Sequence, residues 1–522
     1  MNRKPLILAS LLLAAFAINL DTTIVNVALP RMIDELHASN TELQWIVDAY
    51  NLAFAALLLA AGSLGDRVGR KGVLLVGLGI FGASSLVGGL MSTPGQLIAA
   101  RCVMGLGAAL IFPATLSLIT NVFTERGERA QAIGLWGATA GVAIALGPIV
   151  GGWLLAHFSW QSIFLALVPV AAAGAAFVAL VVPTSRDPRA GRADVGGTVL
   201  STAGVGLLIF TIIEAPNHGW ASARSLLGFA VAAALLAGFV LWERRSDSPM
   251  LDVGLFRNPR FTAASASVTI AFFTLFGFIF LITQYFQFFK GYSPLSAGVH
   301  LLPVATSVGI ASVVGTKLAV RLGTKLVVTA GLTAIALFYL WVSTGSASTA
   351  YSTIAAQMVL YGTGMGLTSA PATEAIMGVV PRAKAGVGSA VNDATRLLGG
   401  TLGVAVIGSI YASLFSGRLG SLLPAALPPS LADASGSSVG AALAVSGRLE
   451  AEGAGGLARG VHEAASAGFF HGFSAGCLVA AGVAAVGALL ALALLPAQPV
   501  SVEDEGAAVA GAEPAPEPSP SA

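Results

Sequence analysis

Long apolar stretches follow one another along the chain, and short segments between them hold most of the charged residues. A helix rises about 1.5 Å per residue and the hydrocarbon core of a bilayer is about 30 Å thick, so one crossing needs about 20 mostly apolar residues. Fourteen stretches are long enough, and their lack of alternation favours helices over a transmembrane barrel. They lie near residues 6–29, 45–64, 73–91, 97–119, 132–155, 162–182, 195–214, 225–242, 262–289, 296–319, 326–343, 351–379, 389–415 and 467–495.

The composition agrees with an all-α integral membrane protein. Of 522 residues, 56% are hydrophobic and only 10% are charged, whereas about a quarter of the residues of a soluble globular chain are charged. A soluble fold with a mean hydropathy of +0.83 would expose large apolar patches, which excludes a soluble enzyme. The formal net charge of +2 gives no reason to expect a nucleic-acid partner.

No sequence motif indicates catalysis, a cofactor or a metal. A Gly-x-x-x-x-Gly-Lys-Ser/Thr phosphate loop is absent, which argues against direct use of ATP. The six histidines lack metal-ligand spacing, and the two cysteines, Cys102 and Cys477, lie far apart in apolar stretches. We therefore expect no enzyme activity, no metal and no cofactor, and we expect an ion gradient to supply the energy for any transport.

The basic residues predict the orientation. If the N-terminus is cytoplasmic, most of the 27 Lys and Arg residues fall in the inner loops, as the positive-inside rule requires. The protein is then a multi-pass protein of the plasma membrane with both termini in the cytoplasm. Protons, membrane lipid and a small-molecule substrate are the expected partners, and no obligatory protein partner is evident.

A weak internal repeat divides the chain. Leu64, Arg67, Gly69 and Lys71 match Leu318, Arg321, Gly323 and Lys325 at a constant offset, which indicates two parallel halves with a substrate site between them. We expect a six-helix bundle over 1–182, two inserted helices over 183–260, and a second six-helix bundle over 261–495. The composition of the outer loop 416–466 argues against a fixed site there, and the tail 496–522 is predicted to be disordered.

Ionisable groups within spans are costly and are usually functional. In the first half, Asp21, Asp48 and Arg101 fall at similar depths in the outer part of three spans. This arrangement predicts a charge-compensated cluster, in which protonation of a carboxylate decides whether the arginine is satisfied. The alternative is that Asp48 and Arg101, close to the ends of their spans, extend towards the outer interface.

A second group of ionisable residues lies in the inner third of the other half. Glu374 follows Pro371, which removes a backbone hydrogen bond and can open that helix. Asp393 and Arg396 are three residues apart, so they can face each other on one helical turn. A purely structural pair is therefore the alternative to a role in proton coupling or substrate binding.

Two glycine-containing segments complete the candidate sites. The first is a tight inner turn in which Asp66 and three cations can form ion pairs that break when the halves move, or in which the charges serve only topology; its residues are Gly62, Asp66, Arg67, Gly69, Arg70 and Lys71. The second gives the fifth span smooth packing faces and a kink, which simple helix packing also explains; its residues are Gly147, Pro148, Gly151 and Gly152.

These motifs resemble those of the major facilitator superfamily, and within it the drug:proton antiporters with fourteen spans. The run Gly62–Lys71 is similar to the loop signature of the superfamily at every position, and Leu20–Pro30 resembles the first-span signature of the exporters. Arg101 with Gly105 and Gly107 resembles the fourth-span motif associated with proton coupling. The run Gly147–Gly152 resembles the antiporter motif, although Ala143 stands where that motif usually has a glycine.

The resemblance implies a fold of two six-helix bundles plus two inserted helices. It also implies a proton-coupled exporter that extrudes amphipathic cationic or neutral drugs by alternating access. A dedicated exporter of one metabolite, such as a siderophore or a self-made antibiotic, and a proton-coupled importer share that fold. A membrane receptor without transport activity would leave the buried charges and the complete loop signature unexplained.

Overall fold

Helices make up nearly all of the described structure. The computed structural model describes residues 3–36, 40–187, 194–436 and 438–497. A π-helical turn at Tyr285–Phe289 extends the ninth helix. The helices are α1 (Lys4–Leu36), α2 (Asn40–Val68), α3 (Arg70–Gly88), α4 (Pro94–Val122), α5 (Arg126–His157), α6 (Ser162–Val181), α7 (Val195–His218), α8 (Ala223–Glu243), α9 (Pro259–Gln284), α10 (Pro294–His300), α11 (Leu302–Leu322), α12 (Thr324–Val342), α13 (Tyr351–Val379), α14 (Ala385–Leu422), α15 (Pro429–Gly436), α16 (Val439–Ala451) and α17 (Gly455–Leu494).

Thirteen helical segments of the described residues are long and apolar enough to cross a membrane. The remaining predicted span, 351–379, is present as α13, whose Gly, Ser and Thr residues and Glu374 make it less apolar than the others. It packs against α9, α11 and α12, and most of its second half is buried. Neighbouring helices therefore enclose the second half of α13, where its polar residues are buried.

The helix packing repeats in the two halves. In the first half, α4 packs against α2 and α3, and α1 packs against α4, α5 and α6. The same relations recur in the second half, where α13 packs against α11 and α12, and α9 packs against α13, α14 and α17. The predicted parallel repeat is thus visible as equivalent packing of α1–α6 and of α9, α11–α14 and α17.

The interface between the halves is also symmetric. The fifth helix of the first repeat, α5, packs against α11, the second helix of the other repeat. In the reciprocal contact, α14 packs against α2. The inserted helices α7 and α8 pack against each other, and α7 contacts both α2 and α14 beside this interface.

A glycine with a positive φ angle begins the third helix of each repeat. Gly69 precedes α3 with φ of 127°, and Gly323 precedes α12 with φ of 90°. L-amino acids with a side chain rarely adopt this conformation, so glycine is required for the tight turn. The repeats differ nearby, because Val320 and Thr324 occupy the positions that correspond to Asp66 and Arg70.

The segment predicted as the long outer loop has more structure than its composition indicated. α14 continues to Leu422 and α17 begins at Gly455, while α15 and α16 lie between them. We call α15 and α16 the cap. A small apolar core stabilises it, and this core consists of Leu427, Val445, Leu449, Ala458 and Val461. Nearly all of the tail that was predicted to be disordered, from residue 498 onward, lies outside the described residues.

Candidate functional site

A buried ion pair joins α1 and α4. The Nη1 of Arg101 lies 2.8 and 2.7 Å from the two carboxylate oxygens of Asp21, and both side chains are almost completely buried. At about 1.5 Å per residue, Asp21 lies about 26 Å along α1 from Lys4. We call the end of the bundle at Lys4 the N-terminal face and the other end the distal face. The pair is therefore nearer the distal face.

Two further contacts hold the Arg101 guanidinium. Its Nε donates to the main-chain carbonyl of Ile46 at 2.9 Å, and its Cζ lies 4.2 Å from the centre of the Tyr50 ring. Of the predicted cluster of three charges, Asp21 and Arg101 are thus in direct contact. Asp48 lies on the same helix as Ile46 and is partly exposed.

The predicted loop signature joins the two halves at the N-terminal face. Arg70 donates from Nε and Nη2 to one oxygen of Asp66, at 2.8 and 2.6 Å. The Asp66 carboxylate also accepts the main-chain N–H groups of Gly386 and Val387, at 2.8 and 3.0 Å. These N–H groups lie at the N-terminus of α14, where an anion satisfies unpaired donors and interacts favourably with the helix dipole.

Other atoms of the same turn strengthen this contact between the halves. The Nη2 of Arg70 donates to the main-chain carbonyls of Arg382 and Ala383, at 2.9 and 2.7 Å. Gly62 lies against Gly386 so closely that a β-carbon at Gly62 would be 2.5 Å from the Gly386 carbonyl oxygen. We call this set of contacts the latch. It holds α2 against α14, so the halves meet at the N-terminal face.

The remaining cations of the signature serve other contacts. The Nζ of Lys71 donates to the carbonyl of Ala179 at 2.8 Å, which ties the start of α3 to α6 within the first half. Arg67 is partly exposed at the end of α2. Arg70, through its hydrogen bonds to Asp66 and to the carbonyls of Arg382 and Ala383, is thus a predicted cation that spans the two halves.

Glu374 forms a second charged contact between the halves. Its carboxylate oxygens lie 3.6 Å from Arg129 of α5 and 3.7 Å from Arg260 of α9. Arg129 belongs to the first half, whereas Glu374 and Arg260 belong to the second. Glu374 therefore contacts cations of both halves, in addition to lying at the depth predicted for Asp393 and Arg396.

Arg396 stacks between aromatic rings from both halves. Its Cζ lies 4.6 Å from the centre of the Trp136 ring on α5 and 4.9 Å from that of Phe272 on α9. The Nη2 of Arg396 donates to the Thr373 hydroxyl at 2.9 Å, while its Nε is buried without a hydrogen-bond partner. Such stacking on aromatic faces stabilises a cation without a carboxylate.

Asp393 lies beside Arg396 but does not form a hydrogen bond with it. One oxygen of Asp393 accepts a hydrogen bond from Asn392 at 3.0 Å, and the other is buried without a partner. Asn392 in turn accepts from Thr373 at 2.9 Å. Polar side chains therefore connect the two predicted residues through Thr373 and Asn392, and no direct pair forms on one helical turn.

A series of aromatic rings links the two buried arginines. Starting from Tyr50, which stacks on Arg101, successive ring centres are 5.9, 5.9 and 5.0 Å apart through Phe54 and Phe112 to Trp136. Trp136 then stacks on Arg396. The two candidate charge sites are thus separated by closely packed rings rather than by a polar channel.

The predicted glycine segment of α5 packs against both halves. A β-carbon at Gly147 would overlap Thr23 of α1, and one at Gly151 would contact Ile24. On another side of the helix, Gly152 lies against Leu295. On the same side, Pro148 packs tightly against Gly298 of α10, where a β-carbon would overlap the proline ring. Small residues therefore let α5 approach α1 and the second half at the same level.

Several residues of these contacts were not identified from the sequence. Arg129 and Arg260 were counted only among the basic residues that predict the orientation. Their positions near the start of a helix, at the depth of the buried acid Glu374, could have identified them as its partners. Tyr50 and Trp136 gave no signal, since aromatic residues are common in apolar spans. The main-chain donors of Gly386 and Val387 have no side-chain signature at all.

The family to which the chain belongs is apparent from its similarity to known proteins. Residues 11–404 match the sequence profile described as Major Facilitator Superfamily. The chain is 36% identical over 444 residues to the multidrug efflux pump LfrA of Mycolicibacterium smegmatis (strain ATCC 700084 / mc(2)155), an alignment that covers 85% of this chain and 88% of the pump.

Two other relatives are similar over most of their length. The tetracenomycin C resistance and export protein of Streptomyces glaucescens is 34% identical, with 92% of this chain and 89% of the relative covered. The methyl viologen resistance protein SmvA of Salmonella typhimurium (strain 14028s / SGSC 2262) is also 34% identical, with 86% and 90% covered.

A solved structure has the same fold. The crystal structure of the human organic anion transporter MFSD10 (TETRAN) matches with a TM-score of 0.59 and 14% sequence identity, and it covers 94% of this chain and 100% of that one. At this identity the similarity concerns the fold. The expected resemblance is confirmed: the chain belongs to the Major Facilitator Superfamily, as a multi-pass membrane transporter related to multidrug efflux pumps and not an enzyme.

Proposed function

We propose that this protein is a proton-coupled exporter, a drug:proton antiporter, of the plasma membrane. Its substrates are amphipathic cationic or neutral drugs, and both termini are cytoplasmic. The observation that carries the proposal is the buried pair of Asp21 and Arg101, with nitrogen–oxygen distances of 2.8 and 2.7 Å. A buried carboxylate that compensates a buried cation is the group whose protonation most changes the local charge balance.

The coupling follows from the energetics of this pair. Protonation of Asp21 removes the compensating charge of Arg101, and an uncompensated buried charge is strongly unfavourable. The protonated state therefore favours a conformation in which Arg101 finds other partners or water. If drug binding and proton binding favour different conformations, each lowers the affinity for the other, and antiport results.

The latch is the second element of the proposed cycle. In the structure, Asp66 and Arg70 hold the halves together at the N-terminal face, which the proposed orientation places in the cytoplasm. The central region is then closed to the cytoplasm, as required for release to the outside. Binding of a drug from the cytoplasm requires the opposite state. In that state Asp66 leaves the N-terminus of α14, and Glu374 moves away from Arg129.

The relatives support the substrate class. One is named as a multidrug efflux pump and another as a methyl viologen resistance protein. A different relative is named as a resistance and export protein for tetracenomycin C. That name supports the alternative that this chain exports a single metabolite, such as a self-made antibiotic or a siderophore.

The experiment is drug-dependent proton release from everted membrane vesicles, followed with a dye that reports the pH gradient. We expect several chemically unrelated drugs to collapse the gradient with the wild-type protein. An Asp21→Asn variant at equal expression should give no collapse. Unchanged proton release in that variant would remove Asp21 from the coupling mechanism.

The same vesicles separate the two substrate classes. A multidrug exporter should respond to cationic and neutral drugs that have no common scaffold, and these drugs should compete with one another. A dedicated exporter should respond to one compound and ignore the rest. A response to a single compound would therefore favour the alternative while leaving the proton coupling intact.

A further inference from the structure

Two buried carboxyl groups meet where the inserted helices reach the N-terminal face. Asp194 directly precedes α7, and Glu243 is the last residue of α8. Only 8% of Asp194 and 4% of Glu243 is exposed. Both residues lie outside the two six-helix bundles and outside the charge sites described above. They therefore form a separate pair of ionisable groups, which the proposed export cycle does not use.

The two carboxyl groups lie against the same glycine. A β-carbon at Gly197 would be 2.5 Å from Oε1 of Glu243 and 2.7 Å from Oδ2 of Asp194. The absence of a side chain at Gly197 thus leaves the space in which these two oxygens approach each other. Two carboxylates that share one site repel each other when both are ionised, so one of them retains a proton more strongly.

Asp194 has the hydrogen bonds of the ionised partner. Its Oδ1 accepts the main-chain N–H of Gly197 and the indole N–H of Trp242, both at 2.7 Å. Its Oδ2 accepts the main-chain N–H of Met250 at 3.4 Å. Asp194 also caps the N-terminus of α7, where a negative charge interacts favourably with the helix dipole. These contacts favour a negative charge on Asp194.

Glu243 has the surroundings of the protonated partner. Its Oε2 accepts the main-chain N–H of Leu251 at 3.2 Å, whereas its Oε1 is buried without a hydrogen-bond partner. Buried polar atoms are nearly always hydrogen-bonded, so this exception calls for an explanation. A proton on Oε1 gives Glu243 a donor beside Oδ2 of Asp194, and the atom is then satisfied without any group from outside the pair.

One cation lies near the pair. Among the described residues, the charged side chains that act on Glu243 from other elements are Asp194 and Lys384. Arg244 and Arg245 follow Glu243 in the chain, but both are exposed. Lys384 reduces the repulsion within the pair only in part, since one positive charge compensates one of two negative charges.

The pair adjoins the latch. Ser185 and Asp187 belong to the segment that follows α6 towards the inserted helices. The Arg70 N–H donates to the Ser185 carbonyl at 2.9 Å, and the Asp187 N–H donates to the Asp66 carbonyl at 2.7 Å. Lys384 immediately precedes α14, whose first N–H groups bind Asp66. The connections of the inserted helices therefore lie beside the contact that closes the N-terminal face.

We propose that Asp194 and Glu243 form a proton-binding site, in which one shared proton fastens the end of α8 and the segment that follows it to the start of α7. Loss of this proton leaves two negative charges buried against Gly197, and the segment 243–252 then separates from α7. The site faces the cytoplasm in the proposed orientation. Proton binding does not rest on the export function, because the pair and its neighbours are properties of the structure alone.

The direction of the pH dependence follows from proton linkage. Fastening is strongest at acidic pH, where Glu243 is protonated in both the fastened and the separated state. Once the separated Glu243 is ionised, the fastened state holds one more proton, and each pH unit weakens fastening by up to about tenfold. The loss levels off at the pH at which the fastened pair also gives up its proton.

The test follows the pair in the purified full-length protein in detergent, from mildly acidic to mildly alkaline pH. Infrared spectroscopy detects the carbonyl stretch of a protonated carboxyl group, and hydrogen–deuterium exchange with mass spectrometry reports opening of the segment 243–252. We expect a protonated-carboxyl band near neutral pH that Glu243→Gln removes. Exchange in 243–252, corrected for the intrinsic pH dependence of amide exchange, should rise with pH in the wild type and stay constant in Glu243→Gln.

Two further variants define the site. Asp194→Asn keeps a residue that caps helices well but removes the negative neighbour, so the infrared band should disappear at a lower pH than in the wild type. Glu214→Gln is the matched control, because Glu214 lies at the other end of α7, beside His218. Its infrared titration and its exchange should equal those of the wild type.

Identical infrared spectra of the wild type and Glu243→Gln near neutral pH would overturn the proton-binding site. If Glu243→Gln fails to fold, the shift of the band in Asp194→Asn decides. Corrected wild-type exchange in 243–252 that does not change with pH would overturn the fastening role, whether or not the variants fold. Failure of the export function would be seen differently, as absent drug-dependent proton release from vesicles with the titration of the pair intact.

Discussion

The two buried arginines of this transporter are stabilised by different means. Arg101, in the first half, faces a carboxylate of its own half, with both Asp21 oxygens within 2.8 Å of its Nη1. Arg396, in the second half, stacks between Trp136 and Phe272 and donates to the neutral hydroxyl of Thr373. A proton on Asp21 removes the charge that pairs directly with Arg101, whereas Arg396 is held by rings and a hydroxyl, and the neighbouring carboxyl group of Asp393 forms no hydrogen bond with it.

Under the proposed proton coupling, the two arginine sites have different roles. The Arg101 site is suited to sensing protons, because its stability depends on the charge of one titratable group. The Arg396 site is suited to holding the halves together, because Trp136 comes from the first half and Arg396 from the second. The rings of Tyr50, Phe54, Phe112 and Trp136 lie between the two sites.

The largest effect is expected from Asp21→Asn. This change leaves Arg101 buried without its counter-charge, which costs about 3–5 kcal/mol in typical cases. Drug-dependent proton release should fall to background in everted vesicles. The double variant Asp21→Asn with Arg101→Gln is the control for folding: it should recover thermal stability in detergent and still fail to transport. Transport by the double variant would contradict the assigned role.

The second-largest effect is expected at the latch, whose contacts include neither Arg101 nor Arg396. In Gly62→Ala, the added β-carbon would be 2.5 Å from the Gly386 carbonyl oxygen, so the N-terminal face should not close fully. We expect the export rate to fall about tenfold, since 1.4 kcal/mol of lost closure corresponds to that factor. Gly72→Ala is the matched control, because a β-carbon there meets no atom within 4 Å. Equal export rates for the two variants would argue against closure at Gly62.

A smaller effect is expected at Arg396. Trp136→Leu keeps an apolar side chain but removes the ring that stacks on the cation, a contact that contributes about 0.5–2 kcal/mol. Export should fall about three- to tenfold, and Trp136→Phe should recover most of it because a ring is retained. The measurement is the initial export rate at equal protein amounts. Normal export by Trp136→Leu would show that stacking between the halves is dispensable.

The smallest effect is expected from Asp48→Asn. The residue is partly exposed, and both oxygens of Asp21 already contact Arg101. We expect proton release to change less than about twofold, because ion pairs of charges that water still reaches contribute about 0–1 kcal/mol. A loss as large as that of Asp21→Asn would restore the cluster of three charges predicted from the sequence.

The sequence predicted the helical framework well because span length and apolar composition determine it directly. Even the polar span α13 was found, with ends at Tyr351 and Val379 that match the predicted ones. The cap was not predicted, because α15 and α16 are short and contain few apolar residues. Segments of this kind resemble flexible linkers in composition.

The candidate site was predicted less completely. Depth along a helix correctly brought Asp21 near Arg101, but depth alone cannot show the direction in which a side chain points. The same limit applies to Glu374, whose contacts with Arg129 and Arg260 depth along a helix did not indicate. Partners on other helices, and main-chain donors such as those of Gly386, depend on tertiary packing.

The most direct test of the central claim is proton release when the purified protein binds a drug. The protein is held in detergent at low buffer concentration with a pH-sensitive dye, and tetraphenylphosphonium is added as a lipophilic cation. If Asp21 couples drug to proton, the wild type releases protons on binding, and Asp21→Asn releases none while it still binds the cation. Equal release by both proteins would contradict the claim that this carboxylate carries the transported proton.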